Sequence, residues 1–328
     1  MSAMKRAQTL PAGAIPAMDR GGSPDARWVD LQINGYAGVD FNAPGLAPEA
    51  VRAVTERLAA DGTAAFLPTL VTGDPETLLG TIRAVVVARR RWPECEKAIR
   101  GFFLEGPFIS PEPGAVGTHP VEWVRPPDLA LFGRFQDAAE GLVRIVNVAA
   151  EVPGMPDFVR ALSAQGVVVS LGHQLATSPA QLEPCLAAGA RAFTHLGNGI
   201  PNRVDRHDQI VFSALVEDRA SVMFIPDGHH LPDTMLKLYA RAVPLRRLIA
   251  VSDAQYPAGL PPGEYEVCGA HARLEPDGLL WNPARHCLVG ATTPIARMMA
   301  LLRERIGLTP DECRAIGRDN PLALLGET

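Results

Sequence analysis

Residues that bind metal ions or move protons recur at one kind of place in this sequence, just after a short apolar run. Gly101–Leu104 leads into Glu105, Val167–Leu171 into Gly172-His173, Ala192–Thr194 into His195, and Leu248–Val251 into Ser252-Asp253. A carboxylate at the exit of a buried strand is costly unless something pairs it. Two imidazoles in matching slots are the partners on offer. One carboxylate and two imidazoles suit Zn2+ or a similar divalent ion, with a position left open for water. Asp253 then stands where it can take a proton from that water or return one to a leaving group. The bland alternatives are strand-end histidines satisfied by hydrogen bonds and a turn aspartate in a Ser-Asp-Ala context. The shared strand-end placement of all four favours a metal centre with an acid/base beside it.

A second set of polar residues falls in loops on the same face. His119, Arg206, His207 and His230 are basic and suit an anionic substrate such as a phosphate or carboxylate, unless they are simply solvated loop residues. Asn198, between Gly197 and Gly199, can hydrogen-bond a substrate amide or hydroxyl, or can be a left-handed turn residue. Gln32 and Asn34 close the first apolar run. The sequence holds no phosphate-binding glycine loop, no dinucleotide fingerprint and no nucleophile elbow for a serine hydrolase.

What must position these residues is a repeating alternation. Eight near-continuous apolar runs (Trp28–Ile33, Ala64–Leu70, Gly101–Leu104, Val143–Ala149, Val167–Leu171, Ala192–Thr194, Ser221–Ile225 and Leu248–Val251) read as strands buried on both faces. Segments with helical spacing lie between them, several opening on Asp-Pro or Ser-Pro. This predicts an α/β protein with a (β/α)8 TIM barrel, a doubly wound sheet being the alternative, and chemistry at the C-terminal strand ends. Pro257–Leu288 breaks the rhythm and predicts a small β-hairpin excursion after the eighth strand. Residues 1–27 read as a loose leader without a signal-peptide core, and 28–328 as a single barrel domain.

The 328 residues are 47% apolar, enough for one large core, and carry a net charge of −5. No block of five like basic charges offers a footprint for nucleic acid or an anionic membrane, and no apolar run is long enough to span one. Five scattered cysteines without a Cys-x-x-Cys pair argue against a disulfide framework and suit a reducing cytoplasm.

Six stretches carry a resemblance: DLQINGYAGVDF (30–41), FFLEGPFIS (102–110) with GTHP (117–120), SLGHQLAT (170–177), THLGNGIP (194–201), IPDGHHLP (225–232) and VSDAQYPAG (251–259). In this order they resemble the N-acetylglucosamine-6-phosphate deacetylases of the amidohydrolase superfamily, from about Val29 to the C-terminus. The resemblance implies a metal-dependent amidohydrolase barrel that cleaves the N-acetyl amide of an amino sugar phosphate to acetate and the free amine. It implies Glu105, His173 and His195 as metal ligands, with Zn2+ first and Fe2+, Mn2+ or Co2+ as alternatives, and Asp253 as acid/base. His119 would orient the N-acetyl carbonyl or the sugar, and Asn198 and Gly199 would touch substrate. Arg206 and His230, with His207 nearby, would reach the phosphate, in part across a homodimer interface. Gln32 and Asn34 stand where many amidohydrolases carry a His-x-His pair, so one metal rather than two is expected, with this pair beside it. Relatives tend to read His-Leu-Phe-Asn-Ala-Met, Arg-Glu-Pro-Gly and Leu-Ala-Gly-Ser where this chain has His195–Ile200, Arg206–Gln209 and Leu288–Ala291. Their small β-sandwich domain is expected to be absent or vestigial here. A related amidohydrolase acting on another N-acyl or cyclic amide, or a sugar-binding barrel without turnover, are the alternatives.

Overall fold

The structure is a computed structural model and describes residues 28–327; the stretch 1–27, read above as a leader, lies outside the described residues. Eight strands follow one another around a single sheet: β1 (Trp28–Ile33), β2 (Thr63–Val71), β3 (Phe102–Glu105), β4 (Val143–Val148), β5 (Val168–Leu171), β6 (Ala190–Phe193), β7 (Ser221–Phe224) and β8 (Leu248–Ala250). All neighbours pair in parallel and in sequence order. The ends meet where Ile33 bridges Ala254 and the Asn34 amide donates to the Ala254 carbonyl at 2.8 Å. The result is a nearly closed (β/α)8 barrel, as the alternation predicts.

Helices follow each strand: α1 (Pro48–Ala60), α2 (Pro75–Arg91), α3 (Leu129–Ala138), α4 (Met155–Ser163), α5 (Pro179–Ala187), α6 (Ile210–Val216), α7 (Asp233–Ala242) and α8 (Ile295–Leu301). Their starts are written locally. Asp74 accepts from the Thr77 amide before α2, and Ser178 and Gln181 form a reciprocal capping box before α5. Phe102, Phe103, Ile145, Val146 and Phe193 are fully or almost fully buried, because barrel strands face a packed interior on one side and helices on the other.

Strand ends shift by one or two residues from the predicted runs, and two boundary differences bear on the site. β2 continues past the predicted end at Leu70 to Val71, whose amide is held by Asn42 Oδ1 at 2.9 Å and which pairs with Glu105. This carries Thr72 to the barrel mouth. The spacing over Asp208–Glu217 predicts a helix, but α6 begins only at Ile210, because Asp205 Oδ1 accepts the amides of His207 (2.7 Å) and Asp208 (3.0 Å) and keeps that stretch a turn.

The excursion after β8 is a four-stranded antiparallel sheet of β9 (Gly263–Val267), β10 (Ala270–Leu274), β11 (Leu280–Asn282) and β12 (Cys287–Leu288). It has its own small core of Val267, Ala272, Leu274, Leu280 and Val289. His229 Nε2 donates to the Asp277 carbonyl at 3.2 Å and Thr292 Oγ1 to the Gly278 carbonyl at 2.6 Å, tying the sheet to the mouth. All five cysteines are free. Among the described residues, no helix is long and apolar enough to cross a membrane.

Candidate active site

The apolar residues of β3 carry Glu105 to the mouth, and β5 and β6 deliver His173 and His195 two residues beyond their ends. Glu105 Oε1 lies 2.8 Å from His195 Nε2 and 3.2 Å from His173 Nε2, and the two Nε2 atoms are 3.1 Å apart. All three side chains are buried. Their hydrogen-bonding capacity does not close among themselves. His173 Nδ1 donates to the Ala115 carbonyl at 2.7 Å, so in the neutral ring Nε2 carries a lone pair. Glu105 Oε1 is an acceptor, and His195 Nε2 can bring one hydrogen at most. His195 Nδ1 is buried with no partner. Lone pairs thus face one another among buried side chains, where an unmet polar contact costs about 1–3 kcal/mol. A cation among them removes the conflict, and the donor set suits a divalent transition ion. Burial alone would raise the Glu105 pKa, yet the two imidazoles set against it carry it well below the usual carboxylate range. The carboxylate is therefore ionised, as a ligand must be.

The backbone is bent to make this arrangement. His173, His195 and Asp253 have φ of 51°, 24° and 53°, left-handed values that non-glycine residues rarely adopt. Such strain persists only where the surroundings over-determine it, and it clusters at functional sites.

Asp253 follows β8. Its Oδ1 accepts from Gln32 Nε2 at 3.1 Å and Asn34 Nδ2 at 2.5 Å. Gln32 and Asn34 thus stand behind Asp253 and grip the carboxyl. Burial, then the Glu105 charge, push the Asp253 pKa up to about 8. A carboxyl near neutrality can both accept and release a proton at working pH.

His119 lies against the same centre, its ring centroid 4.4 Å from that of His173. The Thr72 amide donates to His119 Nδ1 at 3.4 Å, and Thr72 Oγ1 lies 2.9 Å from the same atom. An amide donor makes Nδ1 the acceptor, so the ring proton is on Nε2. Burial, then the His173 charge, push the His119 pKa down to about 3, so the ring is a neutral donor.

The remaining residues are placed less tightly. Asn198 Nδ2 donates to the His195 carbonyl at 3.1 Å, bracing the turn. Gly199 has φ of 61°, and a Cβ there would come within 2.9 Å of His173 Nδ1. Only glycine lets the loop cross that ring. His230 Nδ1 donates to Asp227 Oδ2 at 2.7 Å, while Asp227 Oδ1 accepts the amides of His229 and His230. Arg206 and His207 lie in a stretch exposed from Asn202 to Asp208 and make no hydrogen bond with the buried cluster. A cavity of about 300 Å3 opens beside that stretch, lined by Gln174, Thr177, Ile200, Arg203 and Asp208 among others.

Two residues of this constellation are missed by sequence reasoning. Thr72 fixes the His119 tautomer but sits 47 residues away. Asp30 is 1% exposed inside β1, where its Oδ1 accepts the amides of Ser252 (3.0 Å) and Gln32 (3.2 Å) and so fastens β1 to the residue before Asp253. The available signal was a charge inside the first apolar run.

No family model matches the chain. It is 29% identical to the N-acetylgalactosamine-6-phosphate deacetylase of Escherichia coli O157:H7, over 91% of this chain and 77% of that protein. It is 31% identical to the human N-acetylglucosamine-6-phosphate deacetylase, over 91% of this chain and 73% of that protein. The fold superimposes on a Mycobacterium smegmatis N-acetyl-D-glucosamine-6-phosphate deacetylase mutant solved with N-acetyl-D-glucosamine-6-phosphate. The TM-score is 0.83 at 27% identity, covering 92% of this chain and 77% of that one.

Proposed function

The chain belongs to the N-acetylglucosamine-6-phosphate deacetylase family of the amidohydrolase superfamily, and from that premise we propose that it removes the N-acetyl group of a 6-phosphorylated amino sugar, giving acetate and the amino sugar phosphate. N-acetylglucosamine 6-phosphate is the first candidate. The observation that carries the reading is the convergence of Glu105 Oε1, His173 Nε2 and His195 Nε2 on one point, a donor set that suits a divalent cation.

Glu105 Oε1, His173 Nε2 and His195 Nε2 would hold one divalent ion, with Zn2+ preferred and Fe2+, Mn2+ or Co2+ as alternatives. When bound, that ion supplies Lewis acidity to the amide carbonyl and lowers the pKa of water. Asp253 takes the proton of the attacking water, and Gln32 and Asn34 keep its carboxyl aimed. His119 Nε2–H donates to the oxygen on which negative charge develops, its neutrality assured by burial. Asp253 then returns the proton to the departing nitrogen. Asn198 and Gly199 line the wall against the sugar, and His230 with Arg206 and His207 attracts the phosphate. A homodimer is part of the proposal. Phe212 and Val216, one turn apart on α6 and 47% and 74% exposed, offer an apolar face next to the loop that carries Arg206. The free thiols suit a reducing compartment such as the cytoplasm.

Acetate release from N-acetylglucosamine 6-phosphate, its C4 epimer and the unphosphorylated sugars tests the reading. Turnover of a 6-phosphorylated N-acetyl sugar supports it. Turnover only of an unrelated N-acyl substrate sinks it.

A further inference from the structure

We propose that Arg285 is an additional anion-contacting residue of the substrate site, supplied by the excursion sheet rather than by the barrel loops, and that it contacts the phosphate of the sugar phosphate. The proposal rests on the function proposed above for its ligand and on this chain's own geometry for its place.

Arg285 sits in the turn between β11 and β12. That turn is built rather than loose. Asn282 is 3% exposed, and its Oδ1 accepts the amides of Ala284 at 2.9 Å and Arg285 at 3.0 Å. This pins the backbone from which Arg285 departs. From there Arg285 Nη1 donates to the Gly117 carbonyl at 3.5 Å, across 168 residues of sequence. Gly117 stands two residues before His119, and a Cβ on it would lie 3.5 Å from His173 Cε1. The guanidinium therefore stands one loop's thickness from the buried cluster, on the loop that carries His119.

The rest of the excursion overhangs the same opening. At the opposite end of β11, in the β10–β11 turn, the sheet is held by the His229 bond to Asp277. The sheet thus arches from the β7 loop to the β3 loop.

Arg285 is also chemically free. Among the described residues, no carboxylate lies within ion-pair distance of it, whereas Arg273 on the adjoining β10 is matched by Glu264 and Glu275. Its single contact, at 3.5 Å, is at the limit of a hydrogen bond and leaves most of the planar fork of donors unused. An unpaired guanidinium on a pinned turn, at the rim of a site that takes a phosphate ester, is suited to bidentate contact with phosphate oxygens.

The test uses the full-length metal-loaded enzyme with Arg285→Ala and Arg285→Lys. On the 6-phosphorylated N-acetyl sugar, Arg285→Ala is expected to raise KM about tenfold, with kcat within about twofold of wild type. Kinetics on the unphosphorylated sugar should not change, inhibition by inorganic phosphate should weaken by a similar factor, and Arg285→Lys should recover part of the loss. An unchanged KM overturns the proposal. So does an equal loss of kcat on both sugars, which assigns Arg285 only to bracing the Gly117 loop. Binding of inorganic phosphate, followed by NMR, separates this inference from the function it rests on. If the wild type deacetylates neither sugar but its phosphate affinity still falls in Arg285→Ala, the function fails and the anion contact stands.

Discussion

Glu105, His173, His195 and Asp253 are each at most 8% exposed, whereas Arg206 and His207 stand in a stretch exposed from Asn202 to Asp208. The first group hangs from the ends of four different barrel strands, and three of its members occupy left-handed backbone that only their surroundings can enforce. The second group rides on a turn organised by its own Asp205. The contrast teaches where each kind of precision comes from. In the proposed mechanism, bond-making chemistry is fixed by a closed sheet, through residues distant in sequence. The proposed substrate contacts come from local turns and an added sheet, which can change without disturbing the centre.

The contrast predicts a gradient of effects. Asp253→Asn should lower kcat by about a thousandfold or more while metal content stays that of wild type, because the variant keeps the shape but cannot take a proton. Retained turnover would move the acid/base role elsewhere. The same group has a stability signature in metal-free protein. Its folded pKa of about 8 stands above the ordinary 3.8, so its contribution is full below about pH 4 and is lost as pH rises through about 8. Asp253→Asn should flatten that part of the dependence of Tm on pH.

His119→Gln comes next, with a loss of about a hundredfold in kcat on every substrate, as for removal of one oxyanion donor. His119 stays neutral down to about pH 3, so this variant should leave the shape of the pH–rate profile unchanged between pH 5 and 9. Thr72→Val should cost about fivefold, the worth of one neutral hydrogen bond that sets the ring's tautomer. An effect on KM alone in either variant would move His119 from the chemistry to the rim. Arg206→Ala is expected to have the smallest effect, a few-fold rise in KM for the phosphorylated sugar that fades at high ionic strength, since exposed charges are screened. A loss of kcat comparable to that of His119→Gln would erase the distinction between the two regions.

The same contrast explains what could be read from the chain. A buried strand ending on Glu105, or on Gly172 before His173, announces itself, because an apolar run that stops at a ligand-type side chain has few structural excuses. The eight-fold alternation and the excursion at Pro257–Leu288 were legible for the same reason: periodicity and turn residues are local. What stayed hidden is pairwise and distant. That Val71 extends β2 depends on Asn42, that His119 is oriented by Thr72 depends on how two loops meet, and that Asp30 fastens β1 to Ser252 requires the barrel to close. The grip of Gln32 and Asn34 on Asp253 spans more than two hundred residues, and its geometry appears only in the fold.

The central claim is that Glu105, His173 and His195 hold one ion on which turnover depends. It is tested most directly by stripping the protein with a chelator and restoring Zn2+ stepwise, with metal content and acetate release followed together. The account predicts that activity is lost on stripping and climbs in proportion to bound metal. It should break at about one ion per chain, and Glu105→Gln should abolish both the binding and the recovery. A stripped enzyme that keeps its full rate of acetate release would contradict it.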